Sequence, residues 1–184
     1  QESKIHLSIA VWEWPSYFSP EARMQGIKLK WAPYKRPSPE CAPVHSKAAG
    51  LYMICTLSKH EAEAEGFDDA LMLDWRGQLA ETTGANVFLV IDGVIHTPTP
   101  DCFLDGITRR SVMGLARKHG IKIIERAIMP DELSKADEVF VTGTAAEVTP
   151  VGQIADMKFT VGPVTKTLLE DYDRLVREPV DATA

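Results

Sequence analysis

Lys47 stands in "HSKAAGLY" (residues 45–52), where most of its neighbours are small or apolar. No Asp, Glu, Lys or Arg occurs within five positions before it or eleven after it. A lysine attacks carbonyl groups only when its amine is neutral, and apolar surroundings that exclude water favour the neutral form. Small neighbours would also let a flat molecule approach closely. Two interpretations follow: a nucleophilic lysine with a desolvated amine, or an ordinary loop lysine in water.

Glu81 lies in "QLAETTGANVF", where a predicted strand ends in a stretch of Thr, Gly and Ala. A carboxylate at such a point suits a helix cap or a turn. It equally suits a partner for a protonated ring nitrogen, which a pyridine-type electron sink requires. The local sequence leaves both interpretations open.

Two further segments could bind an anion. Thr108 follows Gly106 at the start of a predicted helix, and a helix N-terminus with a hydroxyl and free N–H groups suits a phosphate. The segment "TGTAAEVTP" (142–150) follows a predicted strand, and its backbone N–H groups could form an anion nest. The structural alternatives are an ordinary helix start and an ordinary turn.

The elements that must position these residues follow from hydrophobic periodicity. We predict single strands at 5–14, 28–37 and 121–128. Two pairs of strands are predicted around turns, one around Arg76-Gly77 within 69–82 and one around Asp92-Gly93 within 86–98. Residues 137–151 are predicted to begin as a strand and to run into a small-residue loop. We predict helices at 20–25 between the N-cap Ser19 and the stop Gly26, at about 50–65, at about 108–119, at 130–136, and from about Pro163 onward.

Apolar spacing in three of these helices predicts which side chains face inward. These are Leu51, Ile54, Cys55, Leu57 and Ser58 in the helix at about 50–65, Ile107, Val112, Leu115 and Ala116 in and just before the helix at about 108–119, and Leu168, Leu169, Tyr172, Leu175 and Val176 in the last helix. Short strands interleaved with helices and hairpins predict an α/β fold with a mixed sheet.

Composition narrows the function classes. The chain has 184 residues, 45% of them hydrophobic, and a net charge of −6. Because the basic residues are scattered, we expect no nucleic-acid partner. No apolar run approaches the roughly 20 residues that span a bilayer, and no signal peptide precedes the first strand, so we expect no membrane association and a cytoplasmic location. The isolated histidines and three unpatterned cysteines predict no metal site.

The chemistry-bearing segments occur in an order that resembles a known family. Lys47 with Tyr52 five residues on, then "LAETTGANVF", "LDGITRRSV" and "GTAAEVTPV", are similar to the class IV (fold-type IV) pyridoxal-phosphate aminotransferases, above all the bacterial branched-chain amino acid enzymes. The resemblance extends from about residue 5 to 178. It implies a mixed sheet that forms a pseudo-barrel flanked by helices, with residues 1–184 as the large cofactor-binding domain. The family's small N-terminal domain precedes the point where this chain begins, so we expect a longer enzyme.

The resemblance also implies a role for each site residue. Lys47 would form the Schiff base with pyridoxal 5′-phosphate and act as the proton shuttle, and Glu81 would keep the pyridine nitrogen protonated. The other implied cofactor residues are Tyr52 at the phenolic oxygen, Leu104 on the ring face, Gly84 in the pocket wall, and Ile107, Thr108 and Thr144 at the phosphate. Ala145 and Ala146 would offer amides to the substrate carboxylate. Arg109, next to the phosphate motif, is expected to make a structural ion pair.

The implied reaction is transamination between a branched-chain L-amino acid and 2-oxoglutarate, in a homodimer or higher homo-oligomer. Leu51 and Asp105 depart from the asparagine and proline that many relatives carry, which weakens any assignment of the exact substrate. The alternatives are an (R)-amine transaminase, a D-amino-acid transaminase, a 4-amino-4-deoxychorismate lyase, or an inactive fragment.

Overall fold

A computed structural model describes residues 3–13 and 20–178. The helices are α1 (Pro20–Gln25), α2 (Met53–Ala64), α3 (Ile107–Lys118) and α4 (Pro163–Arg177), with 3-10 turns at Ala49–Leu51 and Pro130–Lys135. The strands are β1 (Ile27–Trp31), β2 (Asp69–Leu73), β3 (Leu79–Thr82), β4 (Asn86–Ile91), β5 (Val94–Pro98), β6 (Ile123–Arg126), β7 (Glu138–Gly143), β8 (Glu147–Ile154) and β9 (Met157–Lys158). None of the helices in these described ranges is long and apolar enough to cross a membrane.

The sheet is mixed and closes on itself, as the resemblance implies. Strands follow the order β3-β2-β1-β8-β7-β4, and an additional pairing of β3 with β4 completes a six-stranded barrel. β1 pairs in parallel with both β2 and β8, whereas β7 pairs antiparallel with β4 and β8. β5 and β6 extend the sheet beyond β4.

Two hydrophobic cores lie on opposite faces of this sheet. Along β4, Val87 and Leu89 belong to a cluster with side chains from all six barrel strands, whereas Phe88 and Val90 pack with α3 and α4. This division follows from the strand's alternation, which sends successive side chains to opposite faces. α3 and α4 thus cover one outer face of the barrel.

The local turn chemistry is confirmed. Asp92 and Gly93 join β4 to β5 with φ angles of 49° and 73°, the left-handed conformation that a two-residue primed turn needs. Gly26 ends α1 with a φ of +85°, and a Cβ there would lie 2.3 Å from the Gly152 backbone nitrogen. Only glycine fits this crossing of α1 and β8.

The strand predicted over 5–14 is wrong where the structure describes it. Residues 5–13 form no strand, and Ile5, whose alternation suggested one, is 98% exposed. A strand forms only when a neighbour supplies backbone partners, and no described strand pairs with this segment. Trp14 and the predicted N-cap Ser19 lie outside the described residues.

Other predictions need correction in detail. The segment assigned to a small-residue loop continues as β8, because Val148 and its successors pair with both β7 and β1. The predicted strand at 28–37 is short and ends at Trp31. The predicted inward side chains that are instead exposed are Leu57, Ile107, Leu175 and Val176. Ile107 is the first residue of α3, and Leu175 and Val176 lie in the last turn of α4. Periodicity does not show where along a helix the neighbouring elements end.

Candidate functional site

A cavity of about 330 Å³ opens where three barrel strands meet. Glu81 at the end of β3 pairs with Asn86 at the start of β4, and Asn86 pairs in turn with Thr142 near the end of β7. The loop that carries Lys47 and the N-terminus of α3 complete the wall. The sheet register therefore brings together segments that are far apart in sequence.

The structure places all of the predicted cofactor residues on this wall. They are Lys47, Tyr52, Glu81, Gly84, Leu104, Ile107, Thr108 and Thr144. The predicted substrate residues Ala145 and Ala146 do not line the cavity; they follow Thr144 in the turn between β7 and β8.

Glu81 carries the most perturbed carboxyl group of the cavity. Its side chain is 13% exposed, and Arg36, itself buried, places Nε 3.4 Å from Glu81 Oε1. Burial raises the pKa of Glu81 from 4.5 to about 8, while the Arg36 charge opposes that rise. A carboxyl in this state can hold a proton near neutral pH and can give it to a neutral basic group, whose resulting positive charge then pairs with the carboxylate.

Asn86 connects Glu81 to the start of α3. Its Nδ2 donates to Glu81 Oε2 at 3.3 Å and to the Leu104 carbonyl at 3.0 Å. A Cβ on Gly106 would lie 2.5 Å from Asn86 Oδ1, so the loop approaches this closely only because residue 106 is glycine. The side-chain amide of Asn86 thus links Glu81 to the loop that leads into the N-terminus of α3.

The helix end has the features of an anion site. Gly106 is the N-cap of α3, and no described side chain caps that terminus, which leaves N–H groups free. Thr108 is buried at the second helical position and lines the cavity. The buried Thr142 Oγ1, also on the wall, has no hydrogen-bond partner among the described residues. Free N–H groups and an unpaired buried hydroxyl together favour a bound phosphate.

Lys47 differs from the expectation in one respect. It is on the cavity wall, but its side chain is exposed, and so are the neighbouring Ala49 and Gly50. The desolvated amine expected from small apolar neighbours is therefore absent from the described structure. Small residues in a loop leave space around a lysine, and without a covering element that space is open to solvent.

Arg109 makes the predicted structural ion pair. It is 1% exposed, and its guanidinium lies 2.8 Å from both Asp105 Oδ1 and Glu125 Oε2. Asp105 thus has a partner one turn on, inside α3. The pair anchors the first turn of that helix.

Sequence reasoning missed several residues of the cavity, among them the polar residues Arg36, Asn86 and Thr142. Arg36 lies in the loop after β1. This loop runs beside the end of β2, where Arg36 forms an isolated parallel β-bridge with Asp74. Asn86 and Thr142 stand in the segments "GANVF" and "VTGTAAE", which the sequence singles out for other residues. A polar residue close to the end of a predicted strand is the sequence feature that could have identified Asn86 and Thr142, whereas no such feature marks Arg36.

Comparison with known proteins agrees with this geometry. The sequence profile of the family described as amino-transferase class IV matches residues 1–154. The branched-chain-amino-acid aminotransferase of Pseudomonas aeruginosa is 41% identical over 184 residues, which cover 98% of this chain and 60% of that protein. The Escherichia coli K12 enzyme of the same name is 37% identical over 168 residues, covering 89% of this chain and 54% of that one.

Solved structures share the fold. The branched-chain aminotransferase of the thermophilic archaeon Thermoproteus uzoniensis, solved with norvaline, superimposes with a TM-score of 0.85 at 36% identity, over 91% of this chain and 55% of that one. An aminotransferase from Brucella abortus, solved with the cofactor PLP, superimposes with a TM-score of 0.81 at 35% identity. The match covers 90% of this chain and 58% of that one. The chain thus spans 60% or less of the length of these relatives. On this profile match and these similarities, the chain belongs to the class IV aminotransferases.

Proposed function

We propose that this chain is the cofactor-binding domain of a pyridoxal-phosphate-dependent aminotransferase that moves the amino group of a branched-chain L-amino acid to 2-oxoglutarate. The observation that carries the proposal is the cavity that Lys47, Glu81 and the uncapped N-terminus of α3 share. An amine, a proton-holding carboxyl and an anion site are the three groups that this cofactor needs. The names of the relatives support the branched-chain donor.

The cavity residues fit pyridoxal 5′-phosphate by their chemistry. The N–H groups at Ile107 and Thr108 and the hydroxyls of Thr108, Thr142 and Thr144 would hold the phosphate. Tyr52 would donate to the phenolic oxygen, while Leu104 and Gly84 would bound the ring. When bound, the cofactor supplies an electron sink that stabilises negative charge at the substrate Cα.

Lys47 would hold the cofactor through its ε-amine before the substrate arrives. Once released by the amino-acid substrate, the neutral amine would take the proton from the substrate Cα as a general base. Its exposed position on the cavity wall leaves the amine free to reach both partners. Closure of the cavity around it would supply the desolvation that keeps the amine neutral.

Glu81 would hold the proton of the cofactor's ring nitrogen. In the chain alone its raised pKa shows that the buried carboxylate is under-compensated, even with Arg36 beside it. A positively charged ring nitrogen would supply the missing compensation. Arg36 and Asn86 would keep the carboxyl in place for that contact.

The substrate side and the setting rest on the family resemblance. Ala145 and Ala146 would donate backbone N–H groups to the substrate carboxylate from the turn after β7. We propose a homodimer or higher homo-oligomer in the cytoplasm, with small-molecule amino and 2-oxo acids as partners. Light scattering of the purified protein and fractionation of cells would test assembly and location.

The test of the cofactor site is covalent labelling. Pyridoxal 5′-phosphate added to the protein should give a visible absorbance band that borohydride removes while fixing the cofactor to one peptide, the one that contains Lys47. Lys47→Ala should abolish both the band and the label. Lys35→Ala removes an exposed lysine outside the cavity and should leave both unchanged. A Lys47→Ala protein that keeps the band would refute the proposal.

A panel of amino donors tests the substrate class. Leucine, isoleucine and valine should each yield glutamate from 2-oxoglutarate, with D-alanine and (R)-amines giving little. Preference for D-alanine, or release of pyruvate from aminodeoxychorismate, would assign the chain to another member of the family.

A further inference from the structure

Helix α4 contacts the proposed phosphate end of the cavity through one hydroxyl. The Tyr172 hydroxyl lies 3.3 Å from Thr108 Oγ1, a contact across 64 positions of sequence. Thr108 is 4% exposed and lines the cavity, whereas Tyr172 is outside the cavity wall. Tyr172 therefore reaches Thr108 from outside the cavity wall.

α4 is held firmly enough to fix the position of that hydroxyl. The buried Glu138 accepts hydrogen bonds from the N–H groups of Val164 and Thr165, at 3.1 and 2.7 Å, and so caps the helix N-terminus. Near the other end, Asp171 pairs with His119 at the end of α3. Both ends of α4 are thus tied to β7 or α3, the two elements that form the anion site.

A hydroxyl can donate one hydrogen bond and accept two. If Tyr172 donates to Thr108 Oγ1, the single Thr108 proton is left to point into the cavity, where a phosphate oxygen would accept it. If the Tyr172 hydroxyl were missing, Thr108 could rotate toward other acceptors.

We propose that Tyr172 is a positioning residue for the cofactor phosphate: its hydroxyl orients that of Thr108 toward the phosphate without touching it. The proposal rests on the proposed function, because it assigns the anion at α3 to that cofactor. It predicts that Tyr172 affects the affinity for the phosphate group and leaves the chemistry at Lys47 unaffected.

The test is a double-mutant cycle on cofactor affinity. Tyr172→Phe should raise the dissociation constant for pyridoxal 5′-phosphate about three- to tenfold, the usual effect of one hydrogen bond. Tyr172→Phe should add nothing in a Thr108→Ala background, because the hydroxyl acts through Thr108. Borohydride labelling of Lys47 by pyridoxal, which lacks the phosphate, should be unchanged. Tyr34→Phe, which removes an exposed phenol hydroxyl away from the cavity, is the control.

The outcomes separate the two proposals. The role of Tyr172 would be overturned, while the proposed function stands, if the effects of Tyr172→Phe and Thr108→Ala on the dissociation constant were additive. It would also be overturned if Tyr172→Phe weakened the uptake of pyridoxal as much as that of pyridoxal 5′-phosphate. Failure of the unaltered protein to take up pyridoxal 5′-phosphate would overturn both. An unchanged dissociation constant in Tyr172→Phe would overturn the positioning role alone.

Discussion

The buried carboxyl of Glu81 makes the stability of this protein depend on pH in an unusual direction. Its pKa rises from 4.5 to about 8 on folding, chiefly through burial. Between these values the folded chain holds a proton that the unfolded chain has lost. The contribution of Glu81 to the free energy of unfolding should therefore be highest below about pH 4.5 and fall by about 1.4 kcal/mol per pH unit from there to about pH 8. The full rise in the pKa of Glu81 corresponds to a loss of about 5 kcal/mol in unfolding free energy, which is an upper limit.

Glu81→Gln isolates this contribution. Glutamine has nearly the same shape but does not ionise, and its single carbonyl oxygen can still accept from Asn86 Nδ2. The difference in unfolding free energy between Glu81→Gln and the unaltered protein should grow in favour of the variant by about 2–3 kcal/mol from about pH 5.5 to about pH 7.5. Other groups titrate equally in both proteins and cancel in the difference.

Urea unfolding followed by circular dichroism, without cofactor and at several pH values, measures this difference. Glu40→Gln, which removes an exposed carboxylate, controls for the change in net charge. A difference between Glu81→Gln and the unaltered protein that stays constant over the whole pH range would refute the reasoning. It would mean that Arg36 compensates the buried charge fully and that Glu81 is ionised throughout.

Two further predictions concern the scaffold. Arg126 holds the pKa of Glu132 down at about 2 through a side-chain hydrogen bond, so Glu132→Gln should cost about 1–3 kcal/mol near neutral pH. That cost should vanish as pH falls from about 4.5 toward 2, and urea unfolding at both extremes checks the sign. Gly26→Ala should cost more than about 3 kcal/mol, because it combines a positive φ with a backbone clash at Gly152. Gly66→Ala, with a similar φ and open space around it, should cost only about 1 kcal/mol, and equal shifts in thermal midpoint would contradict the clash.

The sequence by itself determined the features that depend on neighbouring residues. The Asp92-Gly93 hairpin, the stop at Gly26 and the start of α3 after Gly106 follow from backbone conformations that particular residue types allow. The order of the chemistry-bearing segments resembles that of a known family, and this resemblance implied the barrel-like sheet and eight of the residues that line the cavity.

Only the tertiary structure decided the contacts between distant segments. Arg36 meets Glu81 across 45 positions because β1, β2 and β3 are neighbours in the barrel, and no local pattern records that neighbourhood. Tyr172 meets Thr108 because α3 and α4 pack on the same outer face. The exposure of Lys47 likewise depends on what covers the loop and not on its own small neighbours. Burial and charge pairing are long-range properties, so local periodicity could predict the elements but not the state of the groups between them.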